Sequence, residues 1–219
     1  MSMLGKPIPN PIPLYRIVHV DTLPTLLTRG ALHAPNSTPQ DGLPYRTIHS
    51  VSVQASRHSN QIGCGPRGTC HDYVPFYFGP LSVMLLNLKT DRVDGYREGQ
   101  VPLIYLTTSV QRVLEAGCRF VFSDGHGLAR FTRWYEDVAQ LDKVDWDLVP
   151  ARYWADQPDD NDRQRRKQAG FLVWNSLDWS LIDGIGALNS QAKAAVEAAF
   201  AEYPTRHHPQ VEIKAQWYY

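Results

Sequence analysis

The segment RQRRKQAGFLVW, residues 163–174, concentrates the chemistry of this sequence. Arg163, Arg165, Arg166 and Lys167 are four cations able to meet phosphates, and Phe171, Leu172, Val173 and Trp174 have the bulk and β-propensity of a buried strand. Gln168, Ala169 and Gly170 then lie at the rim of whatever cleft that strand borders. The plain reading of RQRRK is one solvated helix face. His19, inside the strand-like LYRIVHV, offers an imidazole able to donate or accept, although a histidine in a strand is most often a satisfied structural residue. Arg57 follows in the polar run YRTIHSVSVQASRHSN, where an arginine is ordinarily solvated. Cys64, Cys70 and His71 in IGCGPRGTCHD lack the second ligand pair of a zinc site, so no metal is expected. No GK[ST] follows these glycines, which excludes a Walker loop.

The elements that must position these groups are mostly strands. Pro7 to Pro13 cannot hold a helix and delivers the chain to LYRIVHV. Asp21 caps DTLPTLLTRG, where Leu23, Leu26 and Leu27 share a helical face and Gly30 ends it. Val51 and Val53 alternate briefly. YVPFYFGPLSVMLLNL reads as two strands separated by Gly79 and Pro80. VPLIYLTT is another strand, SVQRVLEAG a helix and CRFVFSD a further strand. TRWYEDVAQLDKVDW is amphipathic and reads as a helix, WADQPDDND as an acidic loop and FLVWNSLDW as one strand. SQAKAAVEAAFAEY is an alanine-rich helix, and VEIKAQWYY closes the sequence as a strand.

Composition frames this pattern. The chain has 219 residues, 43% hydrophobic and 20% charged, which suits one domain over residues 1–219 with a sizeable core. Net charge is zero, so a polyanion site must be a local patch. Three cysteines without a CxxC, and an opening MSMLGKPIPNPIPLYRIVHV without an apolar stretch, lead to an expectation of reduced thiols and a cytoplasmic location. No apolar run approaches the roughly 20 residues that span a bilayer. Taken alone, these residues support an α+β domain with a basic edge.

Together, YRIVHVDTLPTLLTRGALHAPN, HDYVPFYFGPLSVML and RRKQAGFLVW resemble the DarT family over nearly the whole chain and in order. These are the toxins of DarTG toxin-antitoxin pairs, ADP-ribosyltransferases that use NAD to modify a base in single-stranded DNA. The resemblance implies an α+β, ADP-ribosyltransferase-like fold with a split, mixed β core and flanking helices. It implies NAD as co-substrate without a metal, and single-stranded DNA and the macrodomain antitoxin DarG as partners. His19 matches the histidine that binds the NAD ribose, and Asn36 falls in a loop where its amide can help hold the cofactor. Arg57 matches the catalytic arginine, pairing with the pyrophosphate and aiding proton loss from the base. Tyr77 is expected to stack on nicotinamide, with Phe76 the alternative by strand alternation. Residues 146–168 match the segment that recognises the target. There Tyr153 and Trp154 can stack on bases while Arg163, Arg165, Arg166 and Lys167 hold the backbone.

One position departs from the family. Its segment reads RQAEFLV, and the catalytic glutamate is here Gly170. Loss of a positioned catalytic group costs a factor of roughly a hundred to ten thousand in rate, so the chain is expected to be nearly inactive. Thymidine is the expected target base. The alternatives are a guanosine-, RNA- or protein-directed transferase on the same fold, or a non-catalytic module binding NAD or single-stranded DNA.

Overall fold

The computed structural model describes residues 7–219; the first six residues of the proline-rich opening lie outside the described residues. Strand β1 (Pro13–His19) leads through a short 3-10 turn into α1 (Leu23–Arg29). Leu23, Leu26 and Leu27 are buried as their helical spacing requires, each side chain contributing about 1.5–3 kcal/mol. Gly30 stops the helix at φ +67°, its N–H bonded to the Leu26 carbonyl, a left-handed position that favours glycine. Then follow β2 (Ala31–His33), α2 (Val51–Ser59), β3 (Tyr73–Tyr77), α3 (Val83–Lys89), β4 (Leu103–Ser109), α4 (Val110–Glu115) and β5 (Phe120–Ser123). The chain continues with β6 (Trp134–Tyr135), α5 (Arg163–Arg166), β7 (Gly170–Trp174), β8 (Ser176–Asp178), β9 (Gly184–Ala187), α6 (Ser190–Ala201) and β10 (Gln210–Ile213).

Eight strands form one sheet in the order β10-β9-β4-β1-β3-β7-β5-β6, and β2 pairs with β8 apart from it. The sheet is mixed, since β10 runs parallel to β9 while the other pairs are antiparallel. It is also split. β1 and β4 are paired from Pro13↔Ser109 to His19↔Leu103, and β3 and β7 from Tyr73↔Trp174 to Tyr77↔Gly170. Between the two halves, β1 and β3 meet only at Tyr15↔Tyr77. The α+β fold with a split, mixed core is therefore present.

Strand alternation sends Leu14, Val18, Phe76, Phe171 and Val173 into the larger core, which α1 and α6 cover with Leu23, Leu26, Val196 and Phe200. The opposite face carries Ile17, Leu103 and Tyr105, packed with Leu85 and Leu88 of α3 and with Tyr218. Tyr15 and Tyr77 lie against this second cluster.

Several segments differ from the expectation. Val51 and Val53 belong to helix α2 and are both exposed. The second half of YVPFYFGPLSVMLLNL is helix α3, nucleated by Ser82, whose hydroxyl accepts from the Leu85 N–H at 3.1 Å. TRWYEDVAQLDKVDW forms β6 and then a 3-10 turn over Val138–Lys143, because pairing of Trp134 and Tyr135 with β5 overrides local amphipathicity. FLVWNSLDW breaks into β7 and β8 at Asn175, which has φ +62°. The terminal strand stops at Ile213, and Ala215–Trp217 form a 3-10 turn. Among the described residues no helix is long and apolar enough to cross a membrane, and no three His, Cys, Asp or Glu side chains are grouped to hold a metal.

Candidate active site

The sheet gathers three of the anticipated residues on one face. Tyr15, Ile17 and His19 alternate to the same side of β1; Tyr15 is paired with Tyr77, and Tyr77 with Gly170. His19, Tyr77 and Gly170 thus share the face opposite the large core, on both sides of the split. Phe76 points the other way and is 2% exposed in the large core, so it is removed as an alternative to Tyr77. Tyr77 is half-buried, and burial raises its hydroxyl pKa against the opposing influence of Arg57 and Arg16.

His19 is buried at the end of β1 and its ring is fixed at both nitrogens. The Asp21 N–H donates to Nδ1 at 3.2 Å, so in the neutral ring Nε2 carries the proton and donates to Glu98 Oε2 at 3.3 Å. Arg46 pairs with the other oxygen of Glu98. Glu98 joins the loops before β4 and after β2 above the histidine. The loop stretch YREGQ gave no signal of this role.

Arg57 stands in α2 rather than in a loop, and Nη2 makes a long bond of 3.4 Å to the Cys70 carbonyl. Its charge is felt across the site. Burial pushes the His49 pKa down to about 4, and Arg16, Arg57 and His71 push in the same direction. Burial and then Arg57 likewise lower the pKa values of His71 and His126. Arg16 reaches across the split, with Nη1 donating to the Pro75 carbonyl at 2.9 Å and Nη2 to the Tyr45 hydroxyl at 3.3 Å, while its buried Nε has no protein partner. Arg57 thus stands near Tyr77, His49, His71 and His126, while Arg16, on the Leu14 and Val18 side of β1, ties the two halves of the sheet together at Pro75. Arginine within the otherwise apolar alternation of LYRIVHV was the available signal for Arg16.

At position 170 the backbone conformation itself does not call for glycine. Its φ lies outside the left-handed region, and a Cβ would meet the Phe76 carbonyl oxygen at 3.1 Å and Leu172 Cδ1 at 3.6 Å, an adjustment of a few tenths of an ångström. Its N–H donates to Ser123 Oγ at 3.2 Å, which ties β7 to the end of β5. A longer side chain there would project onto the face shared by Tyr77.

The basic run is not a solvated face. Arg165 forms a two-pronged pair with Asp162 at 2.7 Å and also reaches Asp124 at 2.9 Å. Arg166 Nη1 donates to Asp145 at 2.6 Å and Nη2 to Asp160, while Arg163 donates to the Tyr153 carbonyl at 3.3 Å. Lys167 is 6% exposed, and its ammonium donates to the carbonyls of Val149 at 2.7 Å and Ala151 at 2.8 Å. Burial lowers its pKa to about 8. The expectation that Lys167 meets a DNA backbone is corrected by this placement, since its cation faces the protein. Arg165 and Arg166 chiefly organise the preceding acidic loop. On that loop Tyr153 is 85% exposed, whereas the Trp154 indole N–H is held by the Tyr219 hydroxyl at 2.7 Å.

Asn36 is not brought to this group. Its amide donates to Asp72 Oδ1 at 2.8 Å beside the Tyr73 end of β3, four residues from Tyr77 and so about 13 Å along the strand.

Comparison with known proteins places this arrangement. A DNA ADP-ribosyl transferase from Thermus sp. (strain 2.9) is 36% identical over 216 residues, 99% of this chain and 100% of the relative. The structure of Thermus sp. 2.9 DarT in complex with ADP-ribosylated ssDNA superposes with a TM-score of 0.92 at 35% identity, covering 99% of this chain and 100% of that one. The same protein in complex with NAD+ gives a TM-score of 0.87 over 97% of this chain and 100% of that one, at 35% identity. The family described as "ssDNA thymidine ADP-ribosyltransferase, DarT" matches residues 15–219. With its split sheet, its shared face of His19, Tyr77 and position 170, and near-complete coverage by these relatives, the chain belongs to the DarT family.

Proposed function

We propose that this chain binds NAD and single-stranded DNA as a DNA ADP-ribosyltransferase, directed to thymidine, whose chemical step is disabled at Gly170. The observation that carries this reading is the placement of Gly170 opposite Tyr77, on the face that also bears His19. In this reading NAD lies along that face: Tyr77 offers a flat wall for nicotinamide and Arg57 a cation for the diphosphate, and His19 donates to a ribose hydroxyl once the ribose displaces Glu98, which holds its Nε2–H in the structure. The Arg57 cation also favours the deprotonated form of the target base, whose proton a carboxylate at position 170 would accept. A carboxylate at position 170 would stabilise positive charge developing on the ribose as nicotinamide leaves and assist that proton transfer. Glycine supplies neither.

In this reading the protein acts on DNA in the cytoplasm, as a toxin countered by a macrodomain antitoxin. Exposed Tyr153 and the loop anchored by Arg165 and Arg166 present the unpaired target strand, because a base must leave its stack to reach the cleft.

Gly170→Glu tests the proposal. With labelled NAD and a single-stranded oligonucleotide, it is expected to raise ADP-ribose transfer by roughly a hundred to ten thousand fold over the parent, which itself still binds NAD. Labelling of protein or RNA with no labelling of DNA would overturn the target class. Binding of both ligands by the variant without turnover would leave a binding module.

A further inference from the structure

Loop 124–133, between β5 and β6, holds a feature that the site above does not use. Its tip reads ARFTRW, and Phe131 is 81% exposed between Arg130 and Arg133, both of them exposed. Neither guanidinium has a hydrogen bond or ion pair among the described residues, in contrast to Arg165 and Arg166, whose charges are matched by aspartates. The free cations beside the cleft therefore lie on this hairpin rather than in the basic run.

The loop is anchored to the site at three points. Ser123, at its base, accepts from the Gly170 N–H and pairs with Trp134. The Asn60 side chain, just beyond α2 and Arg57, donates to the Gly127 carbonyl at 3.0 Å. Arg165 donates to Asp124 and, at 3.2 Å, to the Thr132 hydroxyl, while its carbonyl accepts from the His126 N–H at 2.8 Å. Three residues, about 10 Å of extended chain, separate Phe131 from Trp134 in β6, which pairs with Ser123 of β5, the strand that lies beside β7. A large ring held in water on a braced loop, with a free arginine on either side, has the composition of a stacking platform for a single strand.

We propose that Arg130, Phe131 and Arg133 bind nucleotides flanking the target base, Phe131 by stacking and the two arginines by phosphate contact. This rests on the single-stranded DNA reading above and extends its footprint from the cleft to the hairpin. The partner is a DNA strand rather than a protein because a lone aromatic ring between separated cations offers no continuous apolar surface for a protein interface.

The test is binding by the chain as it stands to a labelled single strand of about 20 nucleotides, with NAD affinity and thermal melting measured in parallel. Phe131→Ala is expected to weaken DNA binding about 10-fold or more, and Phe131→Trp to retain it. Arg130→Ala with Arg133→Ala should lower the dependence of log affinity on log salt by about 1.4, roughly 0.7 for each phosphate lost. NAD affinity and melting should match the parent in every variant. If the parent binds the strand and the variants bind it equally well, the hairpin contact is refuted while the DNA reading stands, and the tip is left to a protein partner. If the parent binds no single strand, both fall. Equal losses in Phe131→Trp and Phe131→Ala would overturn stacking.

Discussion

At the scale of single residues, Gly170 and Lys167 lie three residues apart in the chain, one opening β7 opposite Tyr77 and the other a buried structural cation. Lys167 fastens the backbone at Val149 and Ala151, so its charge is held away from water. Its pKa of about 8 in the folded protein lies below the roughly 10.4 of an unfolded lysine. Between these values the unfolded chain binds more protons than the folded one, and stability therefore rises with pH through that window. The parent is expected to gain stability relative to Lys167→Met from about pH 8 to pH 10, measured by denaturant unfolding of the two proteins side by side. A difference that stays flat would mean the ammonium is better solvated than its contacts indicate. His19 is ordered by the same logic with opposite chemistry, since the Asp21 N–H at one nitrogen leaves the proton of the neutral ring on the other.

At the scale of elements, α5 is too short to be stable alone and is held by its side chains. Arg166 joins Asp145, Asp160 and Asp162, pulling both ends of the acidic loop onto the start of β7. Arg166→Ala should destabilise the protein by about 2 kcal/mol, as charged hydrogen bonds are lost and partly buried carboxylates are left behind. Limited proteolysis should then cut within residues 146–162 faster than in the parent. The salt slope of DNA binding should stay unchanged, because this cation already has protein partners. A fall in that slope with no change in stability would return Arg166 to the phosphate-binding role read from the sequence. The hairpin between β5 and β6 has the reverse balance, with its loop braced and its cations free.

At the scale of the whole molecule, the C-terminal WYY closes the second core over the active-site face. Gly186 leaves no room for a side chain because the Trp217 ring packs directly against it. The Tyr218 hydroxyl reaches the carbonyls of Leu103 at 3.0 Å and Gly186 at 2.9 Å, joining β4 to β9 from a residue 2% exposed. Tyr219 links this end to Leu81 and to Trp154 of the target loop. Tyr218→Phe keeps the ring and removes the hydroxyl, leaving a well-shaped apolar contact. The expected cost is about 1–2 kcal/mol in thermal or denaturant unfolding. A neutral result would show that the two carbonyls find other donors.

Periodicity and turn chemistry made β1, α1 with its Gly30 stop, β4, α4, β5 and α6 legible in the sequence, because each buries a face whose spacing is local. The family motifs marked His19, Tyr77, Arg57 and the glycine at position 170. What they could not convey depends on contacts distant in sequence. Pairing with β5 turned an amphipathic stretch into β6, and Asn175 divided one apparent strand into two. Asp124 and Asp145, brought up from afar, joined the neighbouring Asp160 and Asp162 in engaging cations that read as a solvated face. Composition and local pattern determined that this chain forms an α+β core with a cluster of cations leading into a buried strand. Which cations remain open to a ligand was decided only by the tertiary structure, since a charge is available or matched according to what the fold sets beside it.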